Sequence, residues 1–250
     1  MATPNMSSRA LCDAVSPYFS DLGSKYMLDP ATGEIGKAAG YGDGFSFYFA
    51  GRGGVLGDVD ADVVYSAFMF FDQSLTRKMW ERGVAVEGAR KAGSRYAAAA
   101  DTWGKAHLAG FRGAARFNEL AEKVVRSVDP AGLTLFAGLR SEPLAVDPHA
   151  RAYRLVTWLR ELRGSLHINA VVAAGLTALE AVLTADNGEF FAKLHGYAAP
   201  YPDVSHLKQR RRDAEETTAR LMSEVYEKSL TASERAEFAE LTAELKASVA

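Results

Sequence analysis

Two arginines and one histidine could form an anion-binding site on a helix predicted over residues 148–167. Arg160, Arg163 and His167 follow one another at intervals of three and four residues in WLRELRGSLH. At ~100° per residue they share a sector of about 60° on the helix surface. Guanidinium groups bind carboxylates and phosphates through paired hydrogen bonds, and an imidazole can move a proton near neutral pH. The stripe predicts a pocket for a small anionic molecule, with His167 as the candidate catalytic residue.

Apolar side chains near this stripe could form the rest of such a pocket. Tyr153 lies beside the stripe on the helical wheel, and Phe68 and Trp158 are further candidates for the apolar wall. Gly164 would allow a ligand or another backbone to approach closely. The opposite side of the helix is predicted to face solvent, and it carries Arg154, Thr157, Glu161 and Ser165.

The stripe also has a purely structural interpretation. A charged group at the edge of a core is costly unless an opposite charge accompanies it. An Asp or Glu of a neighbouring helix, for instance Asp58, Asp60 or Asp72, could supply that charge. Charge pairing within the protein and ligand binding therefore both remain open for the two arginines.

Arg52 is a further ligand-binding candidate, in a segment that is rich in glycine. Gly33 to Gly57 contains nine glycines, a density that predicts a loop with close backbone approach. Backbone amides of such a loop could hold an anion near the N-terminus of the helix that follows Asp60. The glycine spacing matches neither a dinucleotide-binding fingerprint nor a phosphate-binding P-loop.

Familiar catalytic and metal-binding signatures are missing from the sequence. It contains no HExxH, GxSxG or EF-hand pattern. The five histidines show no paired metal-ligand spacing, and the single cysteine, Cys12, excludes an internal disulfide and a CxxC pair. The sequence therefore identifies no cofactor and predicts no metal site.

A second functional pattern is the helix-turn-helix grammar of HINAVVAAGLTALEAVLTA. Gly175 permits a tight turn, Leu176 can fill the space between two helices, and Thr177 can cap the second helix. Thr177 would then face DNA, and phosphates could be contacted by a basic strip consisting of Lys208, Arg210, Arg211 and Arg212. The second helix lacks Arg, Lys, Asn and Gln, which read base edges, so a corner used only for packing is the alternative.

The segments YFAGRGGVLGDVDADVVYSAF and WLRELRGSLHINAVVAAGLTALEAVL resemble a family of uncharacterised actinobacterial helix-turn-helix proteins. The resemblance covers most of the chain, and the residues on its motif positions are Arg52, Arg160, Arg163, Gly164 and His167. It implies a winged-helix-like C-terminal half, loosely similar to multiple-antibiotic-resistance-type regulators, and dimerisation through the terminal helices. The sequence departs from it where a wing would lie, because YAAPYPDVSHLKQRRRD has two prolines and no hairpin signal.

The elements that position these residues are predicted to be mainly α-helical, because no sustained period-two alternation appears. The 250 residues are 48% hydrophobic and 24% charged, a mixture that can bury a sizeable core. We expect a helical region over residues 1–145 and a helix-turn-helix-like region over residues 146–250. A net charge of −2 gives neither region the basic character usual in nucleic-acid-binding domains.

The sequence predicts the cellular location and the general class of function. The longest apolar run, Ala170 to Leu176, is far shorter than the ~20 residues of a membrane span, and no secretory signal is evident. We therefore expect a cytoplasmic protein that forms a homodimer. The leading hypothesis is a small-molecule-binding protein, and the sequence does not distinguish an enzyme from a sensor. The alternatives are a ligand-responsive DNA-binding regulator and a structural or interaction protein.

Overall fold

The computed structural model describes residues 5–249. Within that range the chain forms α-helices and two single turns of 3₁₀-helix, Gly54–Leu56 and Ser205–Leu207, and no strand occurs. The first seven helices are α1 (Ser8–Leu22), α2 (Lys25–Leu28), α3 (Pro30–Ala38), α4 (Gly44–Gly53), α5 (Ala61–Phe68), α6 (Gln73–Glu87) and α7 (Ala89–His107). The next seven are α8 (Ala114–Ser127), α9 (Thr134–Arg140), α10 (Pro148–Ala173), α11 (Ala178–Leu183), α12 (Gly188–Leu194), α13 (Lys208–Ser229) and α14 (Ala232–Ser248). The mainly α prediction is confirmed.

Helix α10 is the central element of the fold. Its start is set by Asp147, whose carboxylate accepts from the backbone N–H groups of His149 and Ala150, and by proline at the first helical position. It continues unbroken through Gly164 and packs against α1, α7, α8, α9 and α13. A helix with neighbours on so many sides is buried around most of its circumference.

The predicted solvent face of α10 is therefore wrong. Its four residues are each 7% exposed or less: Arg154, Thr157, Glu161 and Ser165. Helix α7 covers this side, where Asp101 accepts a hydrogen bond from Arg154 at 3.2 Å. Arg154 and Glu161 are paired with opposite charges on other helices. Such pairing offsets the cost of removing a charge from water.

The prediction of a loop over residues 33–57 is also wrong for most of that range. Helices α3 and α4 and a 3₁₀ turn occupy it, so Arg52 projects from a helix. The glycines here permit close helix packing. A Cβ on Gly51 would lie 2.5 Å from Cγ of Tyr96, and one on Gly54 would lie 2.2 Å from the carbonyl oxygen of Ala89. Contacts this short exclude any larger residue.

One hydrophobic core draws side chains from both predicted regions. It extends from Leu11 of α1 to Leu245 of α14 and includes Trp158 at the centre of α10. The Phe117 and Phe238 rings stack within it at 5.3 Å between centroids. The boundary between residues 145 and 146 stays a prediction.

The helix-turn-helix corner lies at the C-terminal end of α10. Gly175 has φ +69°, its N–H donates to Val172, and the N–H of Leu176 donates to the carbonyl of Val171. This is the Schellman pattern that ends a helix on a left-handed glycine. Leu176 is 4% exposed, and Thr177 caps α11 as predicted. Between α12 and α13, all of which the structure describes, there is no wing hairpin, as the two prolines indicated.

None of the described helices has the length and apolar character needed to cross a membrane.

Gly175→Ala tests whether the corner depends on a left-handed residue. Because a Cβ disfavours this conformation, we expect the free energy of unfolding to fall by about 1–2 kcal/mol in urea titrations. Gly33→Ala is the matched control, since Gly33 lies inside α3 with open space around its Cα. Alanine there should stabilise the protein by up to about 1 kcal/mol. Equal effects of the two substitutions would contradict the conformational requirement.

Candidate functional site

Five of the sequence-predicted site residues line one cleft. Arg52 of α4, Phe68 of α5, and Arg160, Arg163 and His167 of α10 surround a volume of about 190 Å³. We call this space the anion cleft. Helix α10 brings three of the residues together because it remains regular through Gly164, as the helical wheel required.

Tyr153 does not belong to the anion cleft, so its assignment to the pocket wall is wrong. Its hydroxyl donates to the carbonyl of Leu22 at 2.8 Å and accepts from the N–H of Tyr26 at 3.0 Å. Tyr153 precedes Arg160 by seven residues, which is about 10 Å along a helix, and so it reaches the core beside Trp103 instead. Trp158 is also completely buried in the core.

Arg52 forms a two-pronged ion pair with Glu161. Its Nε and Nη2 lie 3.0 and 2.7 Å from the two carboxylate oxygens, and Nη1 donates to the Tyr48 hydroxyl at 3.1 Å. The guanidinium also lies 4.2 Å from the centre of the Phe68 ring. The Arg52 and Glu161 side chains are only 12% and 4% exposed. Arg52 therefore joins α4 to α10 and provides no loop-type anion nest.

Glu161 also accepts a hydrogen bond from Arg160, so two guanidiniums share one carboxylate. Burial raises the pKa of Glu161, but the attraction of Arg52 and Arg160 outweighs it and leaves the pKa below its ordinary value. The partner of these arginines is thus on α10 itself. None of the three example partners, Asp58, Asp60 and Asp72, pairs with these arginines, and Asp72 instead caps α6. Arg163 does pair with a carboxylate of a neighbouring helix, Glu215 of α13. Glu161 was not predicted as a partner because the helical wheel placed it on the side expected to face solvent.

A second group of two arginines and one glutamate lies between α10 and α13. Glu215 accepts from Arg163 at 2.7 Å and lies 2.5 Å from Nη1 of Arg211. Glu215 was not among the predicted site residues, because its place beside α10 depends on how α13 packs. Arg211, a member of the basic strip, consequently faces inward and not toward solvent.

His167 is held as a neutral ring. Thr218 donates its hydroxyl proton to the carbonyl of Ala214, so it must accept from Nδ1 of His167 at 2.9 Å. Nε2 then accepts from Nη1 of Arg211 at 3.0 Å. Burial lowers the pKa of His167 to about 4, with help from Arg211 and Arg163 and against the attraction of Glu215. Both nitrogens are engaged, and a proton-transfer role for His167 stays a prediction.

The remaining basic-strip residues belong to the first turns of α13. Lys208, Arg210 and Arg212 are exposed, and none forms an ion pair with a carboxylate of residues 5–249. Nη1 of Arg210 lies 3.3 Å from the carbonyl oxygen of Gly175. One of the three exposed cations, Arg210, is thereby positioned against the turn between α10 and α11.

The short helices of the corner, α11 and α12, differ from the basic strip in the side chains that they present. The Thr177 hydroxyl and backbone N–H both contact the Glu180 carboxylate, at 2.9 and 2.8 Å, in a capping box. Helix α12 was not predicted from the sequence. It exposes three apolar side chains: Phe190, Phe191 and Leu194. At seven residues, α12 is too short for a clear helical period.

Among the described residues, no group of three or more His, Cys, Asp or Glu side chains is arranged to hold a metal ion.

Comparison with known proteins gives one family. A family model described as "Helix-turn-helix family" matches residues 9–200. This range begins one residue inside α1 and extends beyond α12, and it contains both arginine groups except Arg211 and Glu215. No curated protein and no solved structure showed significant similarity to the chain.

Glu161→Gln should leave Arg52 buried without a counter-charge. Loss of one member of a buried ion pair typically costs about 3–5 kcal/mol, and we expect a loss of this size in urea unfolding. Glu224→Gln is the control, because Glu224 pairs with Arg220 on the surface of α13 and such pairs contribute little. Similar losses for the two variants would show that the Arg52–Glu161 pair does not organise the core.

The depressed pKa of His167 predicts a pH-dependent stability. The folded pKa of about 4 lies below the ordinary 6.5, so the unfolded chain takes up a proton first as the pH falls. The contribution of His167 is complete above pH 6.5 and is lost between 6.5 and 4, up to about 3 kcal/mol.

His167→Gln provides the comparison, because the amide cannot titrate and can still accept from Arg211. Its free energy of unfolding should fall less steeply than that of the unmodified protein between pH 6.5 and 4. Parallel curves would rule out the neutral, buried state of His167.

Proposed function

We propose that this chain, which belongs to the helix-turn-helix family, is a DNA-binding regulator. It would contact DNA phosphates through Lys208, Arg210 and Arg212. The observation that carries this proposal is the contact between Arg210 and the carbonyl of Gly175. It places Arg210, one of the three exposed cations of α13, against the turn of the helix-turn-helix. Lys and Arg beside such a corner are suited to the duplex backbone, because phosphate contacts position a protein on DNA.

The two short helices of the corner favour neither phosphate contact nor base recognition, so the proposed phosphate contacts come from α13 alone. Helix α11 carries Glu180 in its capping box, and the first turn of α12 carries Glu189. A carboxylate at a helix N-terminus occupies the place where a DNA phosphate would otherwise bind. Exposed Phe190 and Phe191 cannot supply the paired hydrogen bonds that distinguish bases.

Two members of the predicted DNA-binding set fall outside this interface. The Thr177 side chain is used in capping α11, and Arg211 points toward His167 and Glu215. The proposed interface therefore consists of the three exposed cations alone.

The regulator would respond to a small anion in the anion cleft. Arg211 connects the two surfaces, because it belongs to the first turns of α13 and shares Glu215 with Arg163 of the cleft. An anion drawn to Arg163 would compete with Glu215 and so act on the segment that carries the basic strip. An enzymatic role is not part of this proposal, since both nitrogens of His167 are already bound.

Three further expectations belong to the same proposal: dimerisation through the terminal helices, a likeness to multiple-antibiotic-resistance-type regulators, and a location in the cytoplasm. A dimer would suit DNA sites with two-fold symmetry. The exposed apolar side chains of α12 are compatible with a protein contact, in addition to the terminal helices.

Fluorescence anisotropy with a labelled mixed-sequence duplex tests DNA binding without knowledge of an operator. We expect micromolar binding at about 50 mM NaCl and at least tenfold weaker binding at about 200 mM, because phosphate contacts release counterions. The triple variant K208Q/R210Q/R212Q should bind more weakly and show a log–log salt slope reduced by about 2–3.

The triple variant R77Q/K78Q/R82Q on α6 removes the same charge far along the sequence from the strip. It should retain most of the affinity and the slope. No binding at low salt, or equal losses in the two triple variants, would contradict a DNA interface at the strip.

A further inference from the structure

The anion cleft is bordered by two groups that each contain two arginines and one glutamate. In the first, Arg52 and Arg160 share Glu161. In the second, Arg163 and Arg211 share Glu215, which is also 3.7 Å from the neutral His167. Each group therefore has one positive charge more than its carboxylate can balance.

The two surplus charges meet along one side of α10. Arg160 and Arg163 are one turn apart, and both line the cleft with about a quarter of each side chain exposed. Of the described residues that line the cleft, Glu161 is the only carboxylate, and it is already shared. A partly buried excess of positive charge favours an anion from solution, because partial burial weakens the screening that water provides.

Arg160 and Arg163 also have hydrogen-bond donors to spare. Among residues 5–249, Arg160 gives one nitrogen, Nη1, to Glu161, and Arg163 gives one, Nη2, to Glu215. A guanidinium carries five N–H donors, so most donors of both side chains remain for a ligand. Arg52 differs, because three of its nitrogens are bound to Glu161 and Tyr48.

The cleft limits the size and shape of that ligand. Its volume of about 190 Å³ is far more than one water molecule needs but is below the usual range for drug-sized ligands. Gly164 keeps the floor open, since a Cβ there would meet nothing closer than the Glu161 carboxylate at 3.6 Å. The lining also includes four apolar side chains: Ala67, Phe68 and Phe70 in and just after α5, and Ile168 of α10.

We propose that the anion cleft binds a small dianion through Arg160 and Arg163. The shared chemistry is two negative charges on closely spaced oxygens, as in a phosphate monoester or a short dicarboxylate. Arg52 and His167 position these groups and do not contact the charge directly. The inference rests on the ligand-responsive part of the proposed function, and it is tested in the absence of DNA.

Thermal unfolding with added inorganic phosphate or succinate at pH 8 measures the binding. We expect a saturable rise in Tm that exceeds the effect of NaCl at equal ionic strength, because a ligand that binds the folded state stabilises it. Acetate, a monoanion, should require at least tenfold higher concentration. A rise with phosphate alone identifies a phosphate ligand, and one with succinate alone identifies a dicarboxylate.

Arg160→Gln and Arg163→Gln each remove one surplus charge and leave the other arginine of the group on its glutamate. The apparent affinity should fall at least tenfold in each, whereas Arg160→Lys should lose less because it keeps the charge. Arg220→Gln, on the exposed pair of α13, is the control and should change affinity less than twofold. The triple variant K208Q/R210Q/R212Q should bind phosphate normally, which separates the cleft from the DNA-binding strip.

The inference is overturned if neither dianion exceeds the NaCl effect, if acetate binds equally well, or if the two cleft variants behave like Arg220→Gln. DNA binding without any phosphate or succinate effect would refute the cleft site alone. Dianion binding without DNA binding would retain the site and refute the proposed regulator.

Discussion

The buried pair of Arg52 and Glu161 is the constraint on which the rest of the site depends. Two charges can remain in a protein interior only if their mutual geometry is close to ideal, and here both carboxylate oxygens are bound by one guanidinium. This requirement fixes the rotation of α10 against α4. Once that rotation is set, the direction of Arg160 and Arg163 on α10 is also set, and both line the same cleft.

The sequence predicted the parts of this arrangement that depend on a single helix. The three-and-four spacing of Arg160, Arg163 and His167 was sufficient to place them together, and Gly175 followed by Leu176 and Thr177 was sufficient to predict the corner. The errors concern neighbours. A helical wheel gives the direction of a side chain but not the number of helices packed around it, and so Glu161 and Arg154 were assigned to solvent. The glycine-rich composition led to a similar error. It predicted a loop around Gly51 and Gly54, but these glycines are small because this segment packs closely against α7.

The helix-turn-helix scaffold carries an unusual distribution of charge. The two short helices that would enter a groove contain Glu180 and Glu189 and exposed phenylalanines, whereas the free cations lie at the start of α13. A shared fold does not determine which surface does the chemistry. In the proposed DNA interface the charge comes from the start of α13, and Arg210 is the residue that contacts the corner, at the carbonyl of Gly175.

Because α10 runs without a kink from Arg163 to Ala173, the cleft and the corner are two points on one rigid rod. Ten residues of α-helix extend about 15 Å, so a tilt of roughly 5° at the arginines displaces the corner by about 1.3 Å. Helix shifts of about 1–2 Å are the size used in many allosteric transitions. Because α10 is continuous through Gly164, a tilt of the helix at the arginines would be transmitted directly to the helix-turn-helix corner.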